Sequence, residues 1–380
     1  MKEVRHPASR IFIWPGIHAE VGETLRVLAP EARHAFILTD RKCIPIAKRV
    51  ALSLIQAGVG VSGYAMYPGE RRKTLQTAAG AAAKMLRTNT DRTSVFVTVG
   101  GGVVAELGGF VASAYQEGLR LFHVPTTLVA QVDAAIGSTA GVNVGDGRNV
   151  LSVSHAATAV FVDPTLLETL PRPEYLAGLA EVVKYGMVRE ADVLAGLEED
   201  REGIESRNPA LLEEIVARCV AIKAAVEEAA RAAPGVRAVL EYGRTVGRAL
   251  EAAGSFRKIR SGDAQAVGME AEAFMAWRLG VAPPGVLRAQ NRILRLLDLP
   301  TRVRGLAPEK VLEAMRLNRG NPDARLSLAL PRRVGEAGPG IEVPVEVAEE
   351  ALRFVILPGR RIRAARPLSE MELPAADPAN

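Results

Sequence analysis

The chain has 380 residues, of which 48% are hydrophobic and 24% charged, with a formal net charge of +5. This length favours two domains, and the composition is ordinary for a globular protein. Basic residues are interspersed with acids, which argues against a nucleic-acid-binding protein and agrees with a solvated surface or a small acidic ligand. Two distant cysteines, Cys43 and Cys219, exclude a disulfide framework and a zinc knuckle. No apolar leader or membrane-length apolar run occurs, so a cytoplasmic protein is expected.

The first 150 residues alternate short β-branched runs with amphipathic helical patterns. Strands are predicted at residues 35–40, 59–64 and 94–99, and helices at residues 44–57 and 74–87. Strands that alternate with helices indicate a parallel sheet with right-handed crossovers.

From about residue 174 the pattern changes to long segments rich in Ala, Leu, Glu and Arg. Helices are predicted at 174–187, 209–232, 236–252 and 263–280, and a Gly/Pro-rich loop at 334–344. We therefore predict an α/β nucleotide-binding domain with a parallel sheet over residues 1–173, a mostly α-helical domain over residues 174–365 and a flexible tail over residues 366–380.

The predicted strand 94–99 runs directly into Gly100-Gly101-Gly102, which precedes a helical segment. At such a turn, bare backbone N–H groups face a phosphate and glycines allow its close approach. A purely structural turn is the alternative. Ligands of open α/β sheets bind at the carboxyl ends of strands, and this position favours the nucleotide interpretation.

Three polar residues near the first two predicted strands have two interpretations each. Asp40 ends the first strand and either caps the following helix or contacts a nucleotide. Glu70 and Lys73 follow Pro68-Gly69 and either reach an adenosine group or belong to a solvated turn.

Several longer motifs lie between residues 97 and 187 in a fixed order. They read VGGGVV at 99–104, HVPTTLVAQVD at 123–133, GVN at 141–143, GRN at 147–149 and AEVVKYG at 180–186. In order and spacing they resemble the motifs of the 3-dehydroquinate synthase-like sugar phosphate cyclases, and the resemblance covers roughly residues 10–335.

The resemblance implies an NAD-dependent cyclase that oxidises a sugar-phosphate hydroxyl, eliminates phosphate, reduces the ketone again and closes a carbocycle. It also implies a homodimer and a zinc ion held by one Glu and two His. The residues expected to bind the cofactor are Asp40, Glu70, Lys73, Gly100, Gly101, Gly102, Thr126, Thr127 and Asp133.

The chain departs from this family at the metal site. Glu181 is present, but Arg244 and Ser261 stand where the family has its two histidine ligands. Arg248 stands at a further family histidine, and no histidine occurs beyond His155. A protonated guanidinium has no lone pair to donate, so we expect no zinc and no other catalytic metal.

At other positions the chain either differs from the family or keeps the family residue. Glu117 replaces an arginine, Thr139 replaces a lysine and Glu106 replaces an aspartate. The polar positions kept near the expected site are Asp133, Asn149, Lys184, Lys223 and Arg237, with Arg148 in place of a lysine.

Roles follow for these residues as hypotheses. Lys184, Lys223 and His155 are candidate proton carriers, and His123 is expected to be a packed strand residue. Arg244 and Arg248 lie four residues apart on one helix, where they either form salt bridges with Glu181, Glu241 or Glu251 or bind an acidic ligand. The candidate substrate-binding residues are Arg148, Asn149, Arg237, Arg244 and Arg248.

Three functions remain open from the sequence. The first is a divergent, metal-independent NAD-binding protein that binds or acts on a small acidic molecule such as an acidic polyol. The second is a non-catalytic homologue that regulates or pairs with an active enzyme. The third is a genuine 3-dehydroquinate synthase with a rebuilt site. Neither nucleic acid nor a membrane is an expected partner.

Overall fold

The computed structural model describes residues 2–145, 147–255, 258–317, 325–359 and 361–365. The predicted flexible tail over 366–380 lies outside the described residues. The chain divides into two compact units. The first unit comprises Met1–Pro171 and Glu205–Ala224, and the second comprises Arg172–Ile204 and Ala225–Asn380. The domain boundary that the sequence predicts after residue 173 stays a prediction.

The first unit contains a mainly parallel sheet with helices between its strands. Its elements are β1 (Lys2–His6), β2 (Ser9–Ile13), α1 (Val21–Leu28), β3 (His34–Asp40), α2 (Ile44–Gln56), β4 (Gly60–Met66), α3 (Leu75–Arg87), β5 (Val95–Gly100), α4 (Gly102–Ala114), β6 (Arg120–Pro125), β7 (Thr139–Val144), β8 (Gly147–Ser154) and β9 (Ala159–Val162).

The sheet has the strand order β1-β2-β9-β6-β5-β3-β4. Only β1 is antiparallel to its neighbour, while the other pairs are parallel. Every residue of β5 is buried, as expected for a central parallel strand covered on both faces. Strands β7 and β8 form a separate antiparallel hairpin. The carboxyl ends of β3, β5 and β6 therefore lie side by side at one edge of the sheet.

The remaining elements are mostly helical. They are α5 (Arg172–Val188), α6 (Ala191–Glu199), α7 (Arg201–Ser206), α8 (Pro209–Ala232), α9 (Arg244–Ala253), α10 (Ser261–Arg278), α11 (Pro284–Leu296), β10 (Arg302–Arg304), α12 (Pro308–Leu317), β11 (Leu326–Arg333), β12 (Glu336–Val343), α13 (Val345–Val355), β13 (Ile356–Leu357) and β14 (Arg363–Ala365). Helix α10 is buried along most of its length. No helix among the described residues is long and apolar enough to cross a membrane.

The predicted fold class, a parallel-sheet α/β part followed by a mostly helical part, is confirmed. Two local predictions are wrong. The region 334–344 is largely strand β12, which pairs with β11 across a turn where Gly335 has a φ of +85°. The helix predicted at 236–252 is interrupted, because a 3-10 turn over Pro234–Glu241 ends before Gly243. Gly243 has a φ of +76°, and α9 begins only after it.

Candidate functional site

The glycine turn lies where β5 ends and α4 begins. Gly101 is the N-cap of α4, and no side chain caps this end of the helix. The first backbone N–H groups of a helix have no acceptor within the helix, and the helix dipole adds partial positive charge there. Thr126 lies beside the turn, because its backbone N–H donates to the carbonyl oxygen of Gly100 at 3.0 Å. The arrangement suits an anion such as a nucleotide phosphate.

Side chains would crowd this turn. A Cβ atom on Gly101 would lie 3.0 Å from Cγ2 of Thr127, and one on Gly102 would lie 3.0 Å from Cβ of Ala134. Both glycines therefore keep open a space that ordinary residues would narrow. The open space at this helix N-terminus suits the phosphates of a dinucleotide, and Thr126 and Thr127 lie beside the turn.

A buried ion pair joins two of the predicted site residues. The Lys223 ammonium donates to Oδ1 of Asp133 at 2.7 Å and to the carbonyl oxygen of Asp133 at 2.8 Å. Both side chains are almost fully buried. Each charge compensates the other, which a buried charge requires. Asp133 belongs to a short π-helical segment, Ala130–Ala134, which follows Thr127 and lies next to Gly102.

Lys73 is the centre of a second ion cluster in the first unit. It is 3% exposed, and its ammonium contacts Oε1 of Glu70 at 2.9 Å and Oε2 of Glu106 on α4. A solvated turn at Lys73 is therefore wrong. Burial acts to raise the pKa of Glu70, but the Lys73 charge and a hydrogen bond from Asn143 outweigh it and lower that pKa.

The hairpin β7–β8 is tied to this cluster. Nδ2 of Asn143 donates to Oε1 of Glu70 at 2.8 Å, and the backbone N–H of Asn149 donates to Oδ1 of Asn143 at 2.9 Å. The Arg148 charge also lowers the pKa of Glu70. The structure thus brings the predicted residues Glu70, Lys73, Arg148 and Asn149 together.

Asp40 acts as a cap. Its Oδ1 accepts the backbone N–H groups of Lys42 at 2.8 Å and of Cys43 at 3.2 Å. The capping alternative is confirmed. Asp40 also lies at the carboxyl end of β3, next to the strand that ends at the glycine turn.

His155 does not join these residues, which corrects its prediction as a candidate proton carrier at this site. Its Nε2 lies 2.9 Å from the carbonyl oxygen of Leu119, which directly precedes β6 at the amino ends of the parallel strands. The glycine turn lies at the opposite edge of the sheet. Thr139 pairs with Ser154 at the His155 end of the hairpin.

Glu117 also lies away from the glycine turn, and His123 lies within β6. Glu117 is exposed and forms an ion pair with Arg92. His123 is a packed strand residue, as predicted, and Nδ1 lies 2.6 Å from Oγ1 of Thr98. Burial lowers the pKa of His123 to about 3, with a smaller contribution from His155.

In the second unit, α5 and α9 bring three charged groups together. Nη2 of Arg244 donates to Oε1 of Glu181 at 2.6 Å, and Nζ of Lys184 lies 2.6 Å from Oε2 of Glu181. Lys184 is fully buried. Two cationic side chains therefore face one carboxylate. We call these three side chains the Glu181 cluster.

The other predicted arginines of this unit are more exposed. Nη1 of Arg248 lies 2.9 Å from Oε2 of Glu241, and Nη2 of Arg237 lies 3.8 Å from Oε1 of Glu227. Arg244 and Arg248 thus pair with two different acids. The salt-bridge alternative predicted for them is present, and it leaves their role toward a ligand open.

Sequence reasoning missed a buried carboxylate that supports Arg244. Gly243 has no side chain to cap α9, and Glu272 on α10 does so instead. Its Oε2 accepts the N–H of Gly243 at 2.5 Å, and its Oε1 accepts the N–H of Val246 at 3.3 Å. Two glutamates, Glu270 and Glu272, inside the mainly apolar run of α10 were the signal available in the sequence.

The residues present do not fit a catalytic metal. Helix α10 begins at Ser261 and contacts α5 through Gly262 and Ala177, one turn before Glu181. The elements that would supply three ligands therefore meet, but they carry a carboxylate, a guanidinium and a hydroxyl. Across the described ranges, no group of three or more His, Cys, Asp or Glu side chains is placed to hold a metal ion. This donor set is a poor one for zinc.

Two family models match the chain in succession. The model for the 3-dehydroquinate synthase N-terminal region matches residues 63–177, and that for the C-terminal region matches residues 178–320. A protein from Symbiobacterium thermophilum named 3-dehydroquinate synthase is 38% identical over 357 residues, which cover 93% of this chain and 97% of that protein. One of the same name from Nostoc punctiforme is 34% identical, covering 80% of this chain and 85% of its own.

Solved structures share the fold. A 2-epi-5-epi-valiolone synthase from Streptomyces hygroscopicus, with NAD+ and Zn2+ bound, has a TM-score of 0.82 at 23% identity and covers 93% of this chain and 98% of its own. A 2-deoxy-scyllo-inosose synthase complexed with carbaglucose-6-phosphate, NAD+ and Co2+ has a TM-score of 0.81 at 23% identity, covering 93% and 99%. Because the family models together span more than half of the sequence and close relatives align over most of it, the chain belongs to the 3-dehydroquinate synthase family.

Proposed function

We propose that this chain is a divergent, metal-independent member of its family. In this proposal it binds NAD or a similar dinucleotide in its first unit, and it binds or acts on an acidic polyol or a sugar-phosphate-like ligand through the cationic residues described above. The observation that carries the proposal is the pairing of Arg244 with Glu181 at 2.6 Å, because a metal-ligating position is filled by a fixed cation.

The nucleotide-binding part of the proposal rests on the geometry of the glycine turn. The backbone N–H groups at the start of α4 would hold the phosphates, with Thr126 and Thr127 beside them. Asp133 and the Glu70–Lys73 pair are the further polar groups near this edge of the sheet. When bound, the nicotinamide would supply hydride-transfer chemistry. Structures of relatives with the same fold contain NAD+, which supports the proposal.

The ligand-binding part of the proposal rests on the two cationic side chains that face Glu181. The Glu181 cluster would attract a carboxylate or phosphate, and a guanidinium fork suits either group. Lys184 and Lys223 are the groups we propose to carry protons to and from a ligand hydroxyl. His155 is dropped from this role, because its Nε2 contacts a backbone carbonyl at the opposite edge of the sheet.

Two alternatives have specific support. Identity of 38% to a protein named 3-dehydroquinate synthase favours a genuine synthase with a rebuilt site. The pairing of Arg244 and Arg248 with acids favours a non-catalytic homologue that regulates or pairs with an active enzyme. In each case we propose a homodimer, as the resemblance implies, and a cytoplasmic location.

Dinucleotide binding is the first test. Isothermal titration should show NAD binding by the unmodified chain, and Gly101→Val should abolish it, because the new side chain would fill the space beside Thr127. A thermal melt of the variant checks that it folds. Absence of heat from the unmodified chain at millimolar dinucleotide would refute the nucleotide half of the proposal.

Metal content is the second test. After dialysis, elemental analysis of the purified protein should find less than about 0.1 equivalent of zinc, cobalt or iron per chain, since the donor set does not suit them. One equivalent per chain that disappears in Glu181→Ala would overturn the metal-independent interpretation.

A further inference from the structure

A buried histidine–aspartate pair lies at the carboxyl edge of the sheet in the first unit. His18 follows β2, and Asp163 follows β9, which is parallel to β2. Nδ1 of His18 lies 2.5 Å from Oδ2 of Asp163, and the same oxygen accepts the backbone N–H of His18 at 3.3 Å. His18 is 6% exposed and Asp163 is fully buried. One buried carboxylate thus holds both the ring and the backbone of His18.

This pair determines which ring nitrogen of His18 can act as a base. Burial alone would raise the pKa of the Asp163 carboxyl, but hydrogen bonds from His18, Thr165 and the backbone of Gly16 outweigh it and lower that pKa. An ionised carboxylate only accepts hydrogen bonds, so Nδ1 carries the ring hydrogen and Nε2 keeps its lone pair. Among the described residues, Nε2 has no hydrogen-bond partner. An imidazole oriented in this way is suited to accept a proton at Nε2.

A single side chain connects the pair to the strand beside the glycine turn. Gln131 is fully buried in the π-helical segment that also carries Asp133. Its Nε2 donates to the carbonyl oxygen of Asp163 at 2.7 Å and to that of Pro125, the last residue of β6, at 3.2 Å. Strand β6 lies between β9 and β5, which ends at Gly100. Neighbouring strands are about 5 Å apart, so Asp163 is roughly 10 Å from the turn across the sheet.

That side of the glycine turn corresponds to the nicotinamide end of a dinucleotide. In open α/β sheets the pyrophosphate binds at the glycine turn, and an acid at the end of a neighbouring strand binds the ribose of the adenosine. Asp40 at the end of β3 has this position. The second nucleoside then extends to the other side of the turn, over the ends of β6 and β9. There Gln131, Asp163 and His18 follow one another.

We propose that Nε2 of His18, oriented by Asp163, is the acid–base group at the nicotinamide end of the proposed dinucleotide site. The hydroxyl of an alcohol ligand would lose its oxygen-bound proton to this nitrogen. Its carbon-bound hydrogen would leave with two electrons to the oxidised nicotinamide, and a ketone would remain. The inference rests on the proposed nucleotide site. It adds to that site a proton acceptor whose action needs no metal ion.

Nuclear magnetic resonance of the full chain with isotope-labelled histidine tests the proposal. The ring nitrogens of His18 should report a hydrogen on Nδ1 and a lone pair on Nε2. NAD should shift these resonances, whereas 5′-ADP, which lacks the nicotinamide half, should not. NADH should produce a different shift from NAD, because only the oxidised ring is positively charged. The resonances of His34 and His155 are internal controls and should not respond, since both residues lie toward the amino ends of the strands.

Chemical modification tests whether Nε2 faces the bound cofactor. Diethyl pyrocarbonate reacts with an unprotonated ring nitrogen, and mass spectrometry of peptides locates the product. NAD at about ten times its Kd should slow the modification of His18 about tenfold, because an occupied site excludes the reagent. At the same occupancy, 5′-ADP should leave the modification rate unchanged.

Two variants assign these signals and separate a chemical role from a structural one. His18→Asn keeps an N–H donor for Asp163 and removes Nε2, so it should lose the His18 resonances and the modified peptide. It should retain NAD affinity within about threefold, and a thermal melt checks that it folds. Asp163→Asn removes the charge that fixes the ring hydrogen, so both tautomers of His18 should appear. A role in packing alone predicts no such change.

The outcomes distinguish this inference from the proposed function. A ring hydrogen on Nε2 in the unmodified chain would overturn it. So would His18 resonances that ignore NAD after calorimetry has shown that NAD binds, or equal protection by NAD and 5′-ADP. Each of these results would leave the nucleotide site standing. If calorimetry shows no NAD binding, the nucleotide site itself is wrong and the inference fails with it.

Discussion

Purified protein supplied with NAD and the family's seven-carbon sugar phosphate is expected to form 3-dehydroquinate at less than about a hundredth of the typical turnover of about 10 per second. The first chemical step in the family needs a polarised hydroxyl. Here the position of one metal ligand is taken by Arg244, which pairs with Glu181 and cannot serve as a Lewis acid or as a base near neutral pH. Loss of metal assistance removes several kcal/mol of transition-state stabilisation.

Phosphate release coupled to detection of 3-dehydroquinate measures this rate, with and without added zinc or cobalt. A rate within about a hundredfold of typical turnover would refute the inference drawn from the missing histidines. It would support the alternative of a genuine synthase with a rebuilt site.

A variant that restores the histidines is the matched experiment for the turnover prediction. The triple variant Arg244→His, Arg248→His, Ser261→His should bind one metal ion before it recovers any turnover, because metal and phosphate sites act as one constellation. Metal binding by the triple variant that leaves the rate unchanged would show that the rewritten polar positions, and not the metal alone, limit the reaction.

Gly268→Ala is expected to destabilise the protein by about 3 kcal/mol or more, a large share of the stability of an ordinary domain. A Cβ atom on Gly268 would overlap the carbonyl oxygen of Gly243 and lie 2.8 Å from the backbone nitrogen of Gly247. Both contacts are backbone atoms at the start of α9, which cannot move without disturbing the Glu272 cap. Arg244 begins the same helix, so the Glu181 cluster should be lost as well.

Gly196→Ala is the control for this prediction. Gly196 also lies inside a helix of the second unit, but an added Cβ would meet nothing within 4 Å. Alanine is the better helix former, so this variant should be neutral or stabilised by up to about 1 kcal/mol. Denaturant unfolding of both variants measures their free energies of unfolding and tests this prediction. Equal stability of the two would mean that the close approach of α9 and α10 tolerates a methyl group.

The fold could be predicted from the sequence because its periodic signals agree with its tertiary environment. Strand β5 and helix α8 were predicted within a residue of their observed bounds. The hairpin β11–β12 was missed, since glycine and proline near residue 339 suggested a loop. Pro331 and Pro339 are tolerated there because a two-stranded sheet consists only of edge strands, where a proline need not donate to the ladder.

The candidate site was predictable only in part, for physical reasons. Motifs identify residue types, but they do not specify which side chains those residues contact in the folded chain. The burial of Lys73 between Glu70 and Glu106 depends on where α4 and the 70–74 turn meet, which no local pattern encodes. The role predicted for His155 depended on its neighbours in the sequence. In the structure it follows the hairpin β7–β8 and lies toward the amino ends of the parallel strands. The Glu272 cap requires contact between two helices.

The ion pair between Arg244 and Glu181 changes which solution conditions affect the stability of the second unit. A bound metal ion obeys mass action, so its occupancy and the stability it confers rise and fall with its concentration. The guanidinium of Arg244 is tethered to the backbone and stays protonated across the physiological pH range. Its charge beside Glu181 is therefore present at every external metal concentration. Under the proposed function we expect that neither a chelator nor starvation for zinc or cobalt changes this part of the molecule.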